Sequence, residues 1–126
     1  MPGLWKANTP GETITLRFKG TALLIYDLLG PDCGQVSVQL DDKPPVVQSL
    51  FDAYSNYHRA ATLQVADSVP DTVHTATIRL LPNQPDKLKI LHQRQENAGI
   101  KELDPKIYND TAWYAGAVLL LGDLVK

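Results

Sequence analysis

The sequence predicts an all-β fold, an antiparallel two-sheet β-sandwich for which a jelly roll of about eight strands is the first choice. Three observations carry that expectation. Apolar and polar residues alternate with period two along most of the chain, which sets one face of each run on a core and the other in water. Nine prolines and eight glycines gather mainly in the breaks between these runs. No stretch shows a convincing helical stripe.

In chain order, Ile14, Leu16 and Phe18 share one parity while Thr13, Thr15, Arg17 and Lys19 share the other, a half-buried strand. Gly20, free to take positive φ, marks a tight hairpin into a second strand over 21–29. Residues 35–40 alternate again, with Val36, Val38 and Leu40 against Gln35, Ser37 and Gln39, and 46–51 follow. The next strands are 61–66, with Ala61, Leu63 and Val65 inward, and 75–81. Residues 87–91 and 113–125 complete the set. Turn clusters separate them at Gly30-Pro31-Asp32-Cys33-Gly34, Asp41-Asp42-Lys43-Pro44-Pro45, Ser68-Val69-Pro70-Asp71 and Pro82-Asn83-Gln84-Pro85-Asp86.

Two runs depart from clean alternation. In 21–29, Leu23 and Ile25 lie opposite Ala22, Leu24 and Tyr26, so both faces are apolar. In 113–121, Leu119 and Leu121 lie opposite Val118 and Leu120. A sheet with one wet face does not read this way, so something is expected to cover the second face. Either the chain's own long loop does so, or another domain docks there. The polar segment 93–111 is that loop; Gly99 and Pro105 limit any helical piece in it.

The 126 residues, 44% of them hydrophobic, suffice for one core, so 1–126 reads as a single module. Twelve basic and fourteen acidic side chains give a net charge of −2 without blocks of either sign, which disfavours nucleic acid as a partner. The apolar run 113–122 is about half of what a bilayer-spanning helix needs and no charged-then-apolar leader opens the chain, so no membrane partner is expected. Cys33, the sole cysteine, permits no internal disulfide and reads as a small buried residue.

Motifs for catalysis are missing: there is no Gly-x-Ser-x-Gly elbow, His-Glu-x-x-His, phosphate loop or Cys-x-x-Cys. His58, His74 and His92 lack metal-ligand spacing. His74 heads the inward parity of Ala76, Ile78 and Leu80 and reads as a core-edge histidine. Asp41-Asp42 precede Lys43-Pro44-Pro45 and read as turn formers. No cofactor is expected; the oxygen donors of 30–34 and of Asp41-Asp42 leave a structural calcium open, without a legible ligand set. Arg59 shares the inward parity of Ala61, Leu63 and Val65, so its guanidinium needs an acceptor, and Asp52 across the loop 52–57 is the natural one. That pair either braces the loop or forms a fork gripping a ligand oxygen. Tyr54 and Tyr57 sit in the same loop, Trp113 and Tyr114 enter the last strand, and Trp5 lies in the N-terminal lead. Exposed aromatics beside a few hydrogen-bonding groups suit the apolar face and hydroxyls of a sugar ring.

Leu4-Trp5-Lys6-Ala7 with Gly11, Phe18-Lys19-Gly20-Thr21, Gly30-Pro31-Asp32-Cys33-Gly34 and Val38-Gln39-Leu40-Asp41 together resemble the β-sandwich module appended to bacterial SGNH (GDSL-type) hydrolases. So do Phe51-Asp52-Ala53-Tyr54, Arg59, His74-Thr75-Ala76-Thr77-Ile78 and the closing run 113–124. In that family the catalytic Ser, Asp and His belong to a separate α/β domain absent from this sequence. Leu121-Gly122-Asp123-Leu124 echoes the nucleophile block without its serine, so no catalytic residue carries over. The resemblance implies a non-enzymatic accessory module, similar to carbohydrate-binding modules, of a polysaccharide-directed esterase acting extracellularly or in the periplasm. Its partners would be a poly- or oligosaccharide and the parent catalytic domain in cis. Asp52, Tyr54, Tyr57, Arg59 and Trp113 are the expected carbohydrate-binding residues. The alternative is a structural module that docks on and stabilises the parent domain without touching sugar, and a free-standing enzyme is the remote third reading. The start at Met1-Pro2-Gly3 suggests an excised piece, with Met1 added for expression.

Overall fold

The computed structural model describes residues 5–55 and 57–125; residues 1–4, 56 and 126 and the Trp5 side chain lie outside the description, and with them part of the Leu4-Trp5 motif. The fold is all-β and antiparallel. Its strands are β1 (Trp5–Ala7), β2 (Thr13–Leu29), β3 (Gln35–Leu40), β4 (Val46–Ser49), β5 (Arg59–Ala66), β6 (Thr72–Leu80) and β7 (Trp113–Leu124). Two short helices, α1 (Lys87–Leu91) and α2 (Pro105–Tyr108), lie between β6 and β7.

The described strands form one hydrogen-bonded sheet in the order β1-β7-β2-β6-β3-β4, with β5 also on β2, curled into a half-barrel. The long β2 makes this bend. Its first part, Thr13 to Gly20, pairs with β6, and Leu23 to Leu29 pair with β5 along the same edge, while β7 runs along the other. The expected pair of separate sheets is therefore joined through β2. Across the open side, Gln48 Nε2 of β4 donates to the Gln64 carbonyl of β5 at 3.1 Å. Phe18, Leu23, Val36, Leu63, Ile78 and Leu80 fill the interior, as their parity in each strand requires.

Several expected elements differ. Gly20 makes no hairpin: β2 runs through it, and its missing side chain serves the neighbouring strand instead. A Cβ at Gly20 would overlap the Leu121 carbonyl oxygen, and one at Gly122 the Lys19 carbonyl oxygen, so the two glycines let β2 and β7 approach where their register shifts. Residues 87–91 form helix α1 rather than a strand, capped by Asp86, which accepts from the Lys89 amide at 3.2 Å. Its buried residues, Lys87 and Leu91, are four apart, the helical spacing. The strand expected over 46–51 ends at Ser49, with Leu50 and Phe51 buried in the loop beyond it.

The long loop is anchored over one end of the half-barrel. Buried Lys87 donates to the carbonyls of Pro31 (2.8 Å), Tyr108 (2.6 Å) and Asp110 (3.0 Å). Asn97 bridges the Ala53 and Leu91 carbonyls at 3.0 and 2.9 Å. The loop does not cover the second face of β2 and β7, contrary to the first of the two expectations: Leu119 is 44% exposed and Leu121 63%. Among the described residues, β1 pairs only with Trp113 to Ala115, so no strand borders the outer edge of β7 beyond them.

At the other end, His74 is buried against Phe18 with ring centres 5.3 Å apart. Its Nδ1 faces Asp41 Oδ2 at 2.6 Å and its Nε2 faces the Pro70 carbonyl at 2.7 Å. Both neighbours accept, so the imidazolium, which donates from both nitrogens, suits the site. The hydrogen bond to Asp41 and that to Pro70 raise the His74 pKa against the opposing effect of burial, and bonds from His74 and the Thr75 amide lower that of Asp41. The staple therefore stabilises the fold fully between the ordinary values of 3.8 and 6.5, and its contribution fades as pH climbs through the raised histidine value. The melting temperature should fall on that alkaline side, and His74→Phe should flatten the dependence in melts at a series of pH values.

Candidate functional site

Residues 50–55, 57 and 58 with the start of β5 carry a polar cluster at one end of the half-barrel, its mouth. Asp52 organises it. Its Oδ1 accepts from the Tyr54 amide at 2.9 Å and the Ser55 hydroxyl at 3.1 Å, and its own amide donates to Ser55 Oγ at 2.9 Å. Its Oδ2 forms an ion pair with Arg59 Nη2, as parity predicts. Burial opposes ionisation of Asp52, but the Arg59, Tyr54 and Ser55 bonds together hold its carboxyl below the usual value. The pair thus braces the loop and presents a fixed guanidinium and carboxylate at its rim.

Tyr54 and Tyr57 are 50% and 56% exposed. Arg94 places its guanidinium 4.1 Å from the Tyr54 ring centre, and Arg59 lies 5.6 Å from it. Tyr54 is therefore already packed against two cations, and Tyr57 is the more open ring. The structure brings Asp52, Tyr54 and Arg59 into one cluster and adds Arg94 from the loop 93–111, which no local pattern marked, while Tyr57 lies exposed between the cluster's loop and β5.

Trp113 does not belong to this surface. It is fully buried, and its indole stands against the Asp27 carboxyl, where it favours the ionised form. The parity of Trp113 could not decide its side because β7 is apolar on both faces. Asp27 follows Leu23 and Ile25 on the inner parity of β2 and is 1% exposed. Burial pushes its carboxyl up to about 6, with the Trp113 indole acting in the other direction.

A second polar assembly sits on the outer side, where His58, next to Arg59 in sequence, has the opposite parity. His58 Nε2 meets Asp32 Oδ1 at 2.7 Å, and the Tyr114 hydroxyl donates to Asp32 Oδ2. The His58 and Tyr114 rings meet edge to face at 5.5 Å, and Lys6 Nζ lies 5.3 Å from the Tyr114 centre. Gly30 seats the histidine, since a Cβ there would overlap its ring. Burial resists ionisation of Asp32, yet the Tyr114 and His58 bonds bring its pKa below normal. Burial and the same bond raise that of Tyr114. Cys33, buried beside them, has its thiol pushed up to about 12 by burial and by Asp32, so it is a poor nucleophile.

Among the described residues, no three His, Cys, Asp or Glu side chains cluster as metal ligands. Asp41 is engaged by His74 and Thr75, and Asp32 by His58 and Tyr114.

No protein-family profile matches the chain, and no curated protein does. Solved structures of carbohydrate esterases share its fold. A family 2 carbohydrate esterase plus carbohydrate-binding domain from Corynascus thermopiles (Myceliophthora fergusii) is similar at 16% identity and TM-score 0.57, over 100% of this chain and 29% of that one. A two-domain esterase active on acetylated mannans, co-crystallised with mannopentaose, matches at 12% identity and TM-score 0.61, over 97% and 28%. A family two carbohydrate esterase from Clostridium thermocellum in complex with cellohexaose matches at 11% identity and TM-score 0.58, over 100% and 30%. The chain thus spans under a third of the length of each.

Proposed function

We propose that the chain is a non-catalytic carbohydrate-binding accessory module of a polysaccharide-directed, SGNH-type esterase, working outside the cytoplasm with its catalytic domain in cis. The carrying observation is the mouth itself: Tyr57 is open and Tyr54 half-open beside an Asp52–Arg59 pair held rigid by the loop. Such a pair supplies charge-assisted hydrogen bonds to sugar hydroxyls without the cost of ordering them, while the tyrosine ring meets the apolar face of the sugar. The likeness to an esterase active on acetylated mannans and to one complexed with cellohexaose supports the ligand class.

Affinity gels containing acetylated mannan, xylan or soluble cellulose derivatives test the reading. Retardation in at least one gel is expected, with Tyr57→Ala weakening it by about 1–3 kcal/mol, the size of a well-placed aromatic contact. Migration unaffected by every polysaccharide overturns it.

One observation favours the docking alternative: the exposed apolar face of Leu119 and Leu121 with the open edge of β7. In that case the module raises the melting temperature of the catalytic domain to which it is joined, and Leu121→Lys removes the gain.

A further inference from the structure

The loop 93–111 builds a cleft against the turn before α1. It has a volume of about 290 Å³, near the lower end of small-molecule sites. Pro85, Leu88 and Leu103 line it with apolar surface, and Tyr108 adds a ring. Gln84, Asp86 and Asn109 contribute a carboxylate and two carboxamides.

The walls are held before any ligand arrives. Gln84 Nε2 donates across to the Asn109 carbonyl at 2.8 Å. Asp104 caps α2 through the Lys106 amide at 2.9 Å, as Asp86 caps α1. Lys87 ties Tyr108 and Asp110 to Pro31 from behind. An ammonium has three protons, and these three carbonyls use them all. Lys87, the cation lining the cleft, therefore has no donor left for an anionic ligand, and Asp86 balances its charge. A metal would find a single carboxylate there, far short of a coordination shell.

Apolar walls with carboxamides and one carboxylate at the lip match a ring that is apolar on its faces and hydroxylated at its edge. We infer that this cleft binds one neutral pyranose ring, as a sugar subsite separate from the Asp52–Arg59 mouth. The ligand class rests on the carbohydrate reading of the module; the residues are different ones.

Titrating ¹⁵N-labelled protein with methyl mannoside, methyl glucoside and methyl xyloside tests it. Saturable shifts at the Gln84 and Asn109 side-chain amides and in the 86–88 backbone are expected with at least one of them. Leu103→Trp, which fills the cleft, should abolish these shifts while the Ile78 and Leu80 resonances stay in place. Asn109→Ala should weaken binding roughly 2- to 10-fold, the worth of one hydrogen bond, and it carries the test should Leu103→Trp not fold. Absence of cleft shifts with all three glycosides, shifts that survive Leu103→Trp in a folded protein, or unchanged affinity in Asn109→Ala overturn the inference. Shifts confined to 52–59 uphold the mouth and reject the cleft; shifts confined to the cleft do the reverse.

Discussion

Trp113→Ala lowers the stability of the fold by about 3–5 kcal/mol, the usual cost of emptying a large aromatic site in a core. The side chain is fully buried in the core that β2 and β7 help to build. The variant also removes the indole whose effect on Asp27 partly offsets the burial of that carboxyl. Asp27 supplies an independent check of this region. Its folded-state value of about 6 lies above the ordinary 3.8, so the native state binds the proton more tightly than the unfolded chain. Stability should therefore fall as pH rises from 3.8 to about 6 and stay lower above it. Asp27→Asn removes that slope and stabilises the protein at neutral pH by up to about 3 kcal/mol. Urea melts of the three proteins at pH 4 and 7, with the other titrating groups common to all, read both effects. A Trp113→Ala protein as stable as the parent, losing only sugar affinity, would return Trp113 to the binding surface.

The second large effect belongs to Gly122. With φ at 145°, it occupies backbone space that side-chain-bearing residues rarely enter, and a Cβ would overlap the Lys19 carbonyl oxygen. Gly122→Ala therefore combines backbone strain with a clash between strands that β2 and β7 can relieve only by separating, a loss of about 3 kcal/mol or more. Gly99→Ala is the control. A Cβ there meets nothing within 4 Å, so the change should be nearly neutral. Thermal melts of the two variants should differ widely; equal melting temperatures would mean that the strands do not approach as described.

Gly20 shows why a sequence pattern can mark a residue correctly and assign it the wrong task. Alternation on both sides of a glycine looks the same for a hairpin and for a single strand with a thin spot. Only the partner strand, a hundred residues away, decides between them. The segment Lys87–Leu91 fails for the opposite reason: five residues hold too little period to separate a strand from a helical turn. Parity worked where one face was clearly apolar. It placed Arg59 inward, and the need of an inward guanidinium for an acceptor led to Asp52. It gave no answer for Trp113 because β7 is apolar on both faces. Arg94 and the Asp32–His58–Tyr114 assembly were hidden because they come together from loops and strands distant in sequence, 26 residues apart for one bond and 82 for the other.

The same two-faced pattern in β2 and β7 posed a choice between the chain's own loop and another domain. The loop went elsewhere, pinned by Lys87 and Asn97 over the mouth, and left Leu119 and Leu121 open. The sugar-binding and docking readings thus use different surfaces, the mouth at 50–59 and the face at 116–124. A protein that binds glycan at one can meet its catalytic domain at the other.

Hydrogen exchange of the chain with and without a saturating mannan or cello-oligosaccharide tests the carbohydrate claim most directly, because it reports where contact is made. Protection is predicted in Phe51 to Arg59, with Val36 to Leu40 unchanged as an internal reference. Unaltered exchange throughout 51–59 with every oligosaccharide, or protection confined to 116–124, would contradict it.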